Sequence, residues 1–551
     1  MQNKPFLPPL ETFYQWESKN PDKVWLTQPL GNDQWVDFTW ADVGQQARRL
    51  ANALQQLGLK RGDRVGLYGA NSAYWIMADM AIMMAGGCSV PIYASMPEEK
   101  IRYVVDHSEM SFLFADNSSE MKLDALMEAF GNSLQIVSLA EQGGHHQFSG
   151  LVEQYEALAG SPVRERDELW SISYTSGTTG QPKGVMHTFE TMPYSAERIS
   201  ELAETNEDSV FFSYLPLAHI AERCVVELNS IYSGGHVYFN ESKETFVRDL
   251  QKSRPTFFFA VPRIWHNLKN GIVAQMGEEK WKALMQDKDA ARAAGELILG
   301  AMGLERVSYA FSGSAPIAPA DLEAWMALGM PVYEGFGQSE TMSGLGNRPD
   351  AIKLGSIGKP MSEDAEMKVS EEGELLLRAQ GNMVGYYKDP EKTAETIVDG
   401  WIRTGDKVRV DEDGFVFITG RVKEIFKTAK GKYVAPAPIE QRFGTLHCLE
   451  QLCLVGRGMP QTILLIVLNE QARAQDKTEV EAELLAKLDS VNGELEAHER
   501  ISHIIVCRDV WSIENDLLTH TLKIKRDEVE AKMRAQIDLC EAGTESAIVW
   551  E

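Results

Sequence analysis

Tyr174-Thr-Ser-Gly-Thr-Thr-Gly-Gln-Pro-Lys-Gly184 follows the apolar, strand-like run Leu169-Trp-Ser-Ile-Ser-Tyr174 and holds three glycines, four aliphatic hydroxyls and one lysine. Glycines let a backbone approach an anion closely and turn its N–H groups inward. Hydroxyls add donors and the lysine adds a mobile positive charge, so the stretch has the chemistry of a phosphate cradle. A Walker loop ends Gly-Lys-Ser/Thr; this one ends Pro-Lys-Gly. A dinucleotide-binding fold needs Gly-x-Gly-x-x-Gly directly after its first strand, and Gly66-Leu-Tyr-Gly-Ala70 does not supply it.

On either side of this stretch, up to about Gly358, helix-like and strand-like segments alternate. Val43 to Leu57 has helical periodicity and stops at Gly58; Ala73 to Met84 reads as a second helix. Arg64–Tyr68, Ser89–Tyr93, Phe112–Ala115, Val210–Leu215, His236–Phe239, Thr256–Val261 and Val307–Phe311 are short β-rich runs. Such alternation predicts stacked α/β layers with largely parallel sheets. From about Glu366 strands and tight turns take over. Asp411-Glu-Asp-Gly414 joins Lys407–Val410 to Phe415–Ile418 as a hairpin, predicting a β-barrel-like subdomain over about 360–420. A second hairpin falls around Ala429–Lys432, and a helix near Glu479–Glu499. The expected division is a large N-terminal domain, 1–420, and a small mobile C-terminal α+β domain, 421–551.

The chain has 551 residues and a formal charge of −26, with 44% hydrophobic and 24% charged residues. That composition belongs to a globular protein of several structural units with a large core. The acidic balance argues against nucleic-acid binding, which needs a basic excess. It also disfavours broad docking on anionic lipid, although peripheral membrane contact through a local basic patch stays open. Six cysteines (Cys88, Cys224, Cys448, Cys453, Cys507, Cys540) are scattered without zinc spacing, as expected of free thiols in a reducing cytoplasm. The N-terminus lacks the apolar core of a signal peptide, and no apolar run approaches the roughly 20 residues of a membrane helix.

The glycine-rich stretch resembles the phosphate loop of the adenylate-forming (AMP-binding) superfamily, which includes acyl-CoA synthetases, luciferases and peptide-synthetase adenylation domains. Further strings fall in that superfamily's order. Tyr333-Glu-Gly-Phe-Gly-Gln-Ser-Glu-Thr341 resembles its adenine and metal motif. The resemblance implies nucleotide contacts from Glu334, Gly335 and Phe336, a hydroxyl from Ser339 on an α-phosphate oxygen, and Mg²⁺ held by Glu340. Ser312-Gly-Ser-Ala-Pro316 resembles the small-residue loop beside adenine and the acyl carbonyl, placing Ser314 and Ala315 there. In Trp401-Ile-Arg-Thr-Gly-Asp406, Asp406 resembles the carboxylate that takes both ribose hydroxyls, with Ile418 and Arg421 beside the adenosine. The phosphate loop itself would contribute Thr175, Ser176, Gly177, Thr178, Thr179, Gly180 and Lys183.

Gly420-Arg-Val-Lys-Glu-Ile-Phe-Lys-Thr-Ala-Lys-Gly431 resembles the interdomain segment, with Lys423 at the hinge and Lys430 and Gly431 in the loop presented to CoA. Leu518-Thr-His-Thr-Leu-Lys-Ile-Lys-Arg526 resembles the catalytic-lysine segment. Lys523 takes the lysine position, while His520 stands where Pro is common and Leu522 where Gly is. Tyr214-Leu-Pro-Leu-Ala-His-Ile-Ala-Glu-Arg223, Ala260-Val-Pro-Arg-Ile-Trp265 and Tyr433-Val-Ala-Pro-Ala-Pro-Ile439 resemble the long-chain fatty acyl-CoA synthetases in particular. They imply a place for His219 beside the acyl-adenylate. The expectation is therefore ATP- and Mg²⁺-dependent activation of a medium- or long-chain fatty acid, followed by transfer to CoA, in a cytoplasmic monomer or homodimer. Another adenylate-former (an aryl-CoA ligase or a fatty acyl-AMP ligase loading a carrier protein) and a non-catalytic nucleotide-binding relative are the alternatives.

Overall fold

The structure, a computed structural model, describes all residues except 1–5, 120, 140–142, 176–180, 343, 445, 447, 520–522 and 544–545. Two large sheets carry the N-terminal part. One runs, in spatial order, through Lys359–Pro360, Leu345–Gly346, Val332–Phe336, Tyr309–Ser312, Phe257–Ala260, Val210–Ser213, His236–Phe239, Val24–Gly31 and Gln34–Thr39. The other runs through Gly385–Tyr386, Lys183–Thr188, Leu169–Thr175, Cys88–Ile92, Arg64–Tyr68, Phe112–Ala115, Gln135–Ser138 and His146–Gln147. Their centres are parallel; both margins of the first sheet and the Lys183–Thr188 margin of the second are antiparallel, while the second sheet's other margin, His146–Gln147, stays parallel. The central strands are buried throughout, as parallel strands covered on both faces must be.

Helices lie between the two sheets. Ala73–Ala85 is apolar on every face apart from Asp79, and every residue but Tyr74 is buried, the pattern of a helix enclosed on all sides. Trp40–Gln56 begins at Trp40, three residues before the expected Val43. Thr39 and Asp42 form a capping box there, each side chain bonding the other's backbone N–H at 3.1 and 2.9 Å. One core cluster takes residues from both sheets and from these helices, so the layers form a single packed body. Within it Arg223 is fully buried over the Trp170 ring at 3.9 Å. It binds Asp79, Glu227 (2.9 Å) and the Ser171 hydroxyl (2.7 Å).

The β-rich part forms a smaller antiparallel sheet of Glu366–Val369, Glu374–Arg378, Trp401–Val410 and Ile397–Val398, with Val416–Arg421 paired to Trp401–Val410. It is a curled half-barrel, as the hairpin at Asp411–Gly414 predicts. Beyond it, Leu449–Val455, Thr462–Leu468, Ile501–Cys507 and Ile548–Trp550 make a four-stranded sheet with its own core clusters. The expected late helix spans Lys477–Glu494 and starts at an Asp476 cap. All six cysteines are buried free thiols. Among the described residues no helix is long and apolar enough to cross a membrane.

Candidate active site

Leu169–Thr175 and Lys183–Thr188 pair antiparallel, with Thr175 opposite Lys183, so the glycine-rich stretch connects two neighbouring strands. The expected contacts Ser176, Gly177, Thr178, Thr179 and Gly180 lie outside the described residues. Lys183 projects over the Tyr386 ring, 5.7 Å from its centroid. Partial burial lowers its pKa, with Lys392 and Lys423 nearby adding to that effect.

Val332–Phe336 and Tyr309–Ser312 are neighbouring parallel strands of the first sheet. Gly335, next to last in the strand Val332–Phe336, packs against Phe311: a Cβ on Gly335 would lie 2.2 Å from the Phe311 ring, so only glycine fits this approach. Ser314 takes a left-handed backbone (φ 69°) in the loop leaving Tyr309–Ser312; Ala315 follows it. Glu334, opposite Ser312 in register, is buried, and burial pushes its carboxyl up to about 8. Phe336 and Ile418, the residues expected beside the adenosine, pack on the same small apolar cluster.

Glu340 accepts a hydrogen bond on Oε1 from the Tyr386 hydroxyl at 2.7 Å. Among the described residues its Oε2 takes no hydrogen bond. The preceding residue, Ser339, gives its carbonyl to Nε2 of buried His187 at 2.7 Å. Among those residues no three His, Cys, Asp or Glu side chains converge. A cation at Glu340 would take one carboxylate plus phosphate oxygens and water, which is how Mg²⁺ is ordinarily held.

Asp406 is buried and binds Arg421 Nε on Oδ1 (2.9 Å) and Gln338 Nε2 on Oδ2 (2.7 Å). Each carboxylate oxygen retains a second lone pair, so both can still accept from a diol. Arg421 and Asp406 face each other across paired strands. Lys423 lies two residues on, exposed, in a turn held by Val422 N–H donating to the Gly405 carbonyl at 2.8 Å.

His219 sits at the start of a short helical turn whose Ala221 N–H donates to its Nδ1 at 3.2 Å. The proton of neutral His219 is therefore on Nε2. Burial, with the Lys523 ammonium second, pushes its pKa down to about 4. Asn71 fixes the approach to this histidine, donating to the Leu215 carbonyl at 2.6 Å and accepting from Leu217 N–H at 2.8 Å.

Lys523 reaches this group of residues from the C-terminal part. The side chain is exposed, yet enough protein lies near it to desolvate the ammonium in part. That partial desolvation lowers its pKa, with Arg421 adding to the effect and Asp406, Glu340 and Glu424 opposing it. Lys525 instead pairs with Asp516, which separates the two lysines. His520 and Leu522 lie outside the described residues. Lys430 and Gly431 are exposed, in a loop held by Gly431 N–H donating to the Thr428 carbonyl and Ala429 N–H donating to the Met459 carbonyl. Gln338, His187 and Tyr386 were not singled out by sequence, nor was the Arg263–Glu450 ion pair that ties the helix Pro262–Met276 to the strand Leu449–Val455.

The chain matches the AMP-binding enzyme family over residues 13–387 and the AMP-binding enzyme C-terminal domain over residues 423–544. Fatty acyl-CoA synthetase A of Dictyostelium discoideum is 30% identical, over 92% of this chain and 86% of that one. The long-chain-fatty-acid–CoA ligase FadD15 of Mycobacterium bovis is 29% identical, over 95% of each chain. Among solved structures, an anthranilate CoA ligase in complex with anthranoyl-AMP superposes with a TM-score of 0.80 at 21% identity, over 97% of this chain and 99% of that one. The adenylation domain of a carboxylate reductase from Mycobacterium chelonae superposes with a TM-score of 0.82 at 20% identity, over 98% and 92% of the two chains. With two family matches lying on either side of the Asp406–Arg421 pair, this chain belongs to the AMP-binding enzymes, the adenylate-forming superfamily of acid–thiol ligases.

Proposed function

We propose that the protein activates a medium- or long-chain fatty acid with Mg·ATP to acyl-AMP and pyrophosphate, and then transfers the acyl group to CoA with release of AMP. The observation that carries this reading is the convergence of Lys523 with Asp406–Arg421, Glu340 and His219. The first step brings two anions together, so a fixed positive charge where they meet does most for the rate. Lys523 meets that need between the acid and the α-phosphate. Asp406 and Arg421 take the ribose, Phe336 and Ile418 the adenine, and Ser339 an α-phosphate oxygen. The phosphate loop and Lys183 hold the outer phosphates. Mg²⁺, when bound at Glu340, would screen the charge of the departing pyrophosphate.

Neutral His219 presents an N–H at Nε2 suited to an acyl carbonyl or phosphate oxygen. The choice of fatty acyl chains over aryl acids follows the named activities of the relatives at 29–30% identity. For the second step we place the hinge at Lys423 and the moving unit at residues 421–551. Rotation there would withdraw Lys523 and bring Lys430 and Gly431 toward the site. Incubation with ATP, Mg²⁺ and laurate without CoA tests the first step. The expected result is a burst of pyrophosphate with enzyme-bound lauroyl-AMP; formation of ADP and phosphate would contradict the reading.

A further inference from the structure

Glu340 is held by a neutral group, while Asp406, another carboxylate of the site, is held by a guanidinium. The difference matters for a metal ligand. A cationic partner would cancel much of the charge that attracts a divalent ion, whereas a phenol orients the carboxylate without neutralising it. An outer hydrogen bond of this kind orients the ligating oxygen and fixes which one is free. Here it occupies Oε1 and leaves Oε2 without a hydrogen bond among the described residues.

The phenol is itself firmly placed. Gly385–Tyr386 pairs antiparallel with Lys183–Thr188, putting Tyr386 opposite Val185. Tyr386 N–H donates to Thr393 Oγ1 at 2.9 Å, on the helix Pro390–Thr396. Gly385 has a φ of 149°, and a Cβ there would come within 2.9 Å of Thr393, so glycine lets the strand pass close to that helix. The Glu340 backbone is fixed as well: its carbonyl accepts from Met383 N–H at 2.9 Å, and His187 holds the neighbouring Ser339 carbonyl. The same Tyr386 ring lies beneath the Lys183 ammonium. One side chain thus touches both the proposed metal ligand and the proposed phosphate-binding lysine.

We propose that Tyr386 is a positioning residue for metal–nucleotide binding: its hydroxyl presents Glu340 Oε2 to Mg²⁺ while its ring supports Lys183. The inference rests on the Mg·ATP reading above. Tyr387 provides an internal control. Its backbone N–H donates to the Gly184 carbonyl at 2.8 Å and its ring lies at His107, 5.7 Å between centroids, away from Glu340.

The test is binding of Mn²⁺, as a spectroscopic stand-in for Mg²⁺, to the full-length protein saturated with a non-hydrolysable ATP analogue, followed by electron paramagnetic resonance. Metal-free affinity for the analogue is measured alongside. Tyr386→Phe should weaken Mn²⁺ binding by about 10-fold or more, the usual effect of losing such an outer partner. It should leave metal-free nucleotide affinity and thermal stability unchanged, and Tyr387→Phe should bind Mn²⁺ as the unmodified protein does. Unchanged Mn²⁺ affinity in Tyr386→Phe would overturn the inference. So would an equal loss of nucleotide affinity with and without metal, which would reduce Tyr386 to packing. Failure of the unmodified protein to bind Mn²⁺ with the nucleotide would overturn the Mg·ATP reading and this inference together.

Discussion

Replacing Lys523 by alanine separates the two half-reactions. Lys523 is exposed and makes no ion pair among the described residues, so its removal should change folding stability by less than about 0.5 kcal/mol. Its field is another matter. Nearby protein desolvates it in part, and it feels the charges of Glu340 and Asp406. Arg421, the cation beside it, already has its charge answered by Asp406 at 2.9 Å. No ready substitute therefore stands where acid and α-phosphate meet. Loss of one such fixed electrostatic group costs about 10²–10³-fold, or ~3–4 kcal/mol of barrier. ATP–pyrophosphate exchange with laurate should fall by that factor. Thioester formation from supplied lauroyl-AMP and CoA should keep most of its rate, because the proposed rotation takes Lys523 away. Equal losses in both assays, or a loss in exchange under about tenfold, would refute the assignment.

Asp406→Asn should weaken AMP binding by about 10- to 100-fold, since it removes a charged acceptor and leaves Arg421 unanswered; equilibrium titration with AMP measures this. Glu450→Arg should slow adenylation by setting like charges against Arg263, and the exchanged pair Arg263→Glu with Glu450→Arg should recover pyrophosphate exchange. His187 is fully buried, and burial holds its pKa at about 4 against an ordinary 6.5. The unfolded chain therefore binds the extra proton between those values, and stability falls as pH drops from 6.5 toward 4. The contribution is about 3 kcal/mol at about 1.4 kcal/mol per pH unit. The urea midpoint should shift less over that range in His187→Gln.

The strings that announce themselves in sequence are those whose function needs several special residues within one short loop. Tyr333–Thr341 and Trp401–Asp406 are of this kind, and the structure sets Asp406 beside Arg421 because both lie in one hairpin. The residues that hold these loops were not legible because their partners are distant in sequence. His187 meets Ser339 across 152 positions and Gln338 meets Asp406 across 68. Tyr386 and Tyr387 are adjacent and identical, and only strand pairing decides that one turns to Glu340 and the other to His107. Hydrophobic periodicity found the helix ending at Gln56 but placed its start late, because Thr39–Asp42 acts through polar capping rather than through the apolar stripe. Arg263–Glu450 depends on how two domains dock, for which a single sequence carries no local signal.

The most direct measurement is steady-state release of AMP and pyrophosphate with ATP, Mg²⁺ and a panel of acids from acetate to oleate plus benzoate, with and without CoA. The account predicts CoA-dependent turnover that peaks on medium or long chains, with one AMP and one pyrophosphate released for each acyl-CoA formed. Turnover on benzoate in preference to every fatty acid, or pyrophosphate release that CoA does not carry through to acyl-CoA, would contradict it.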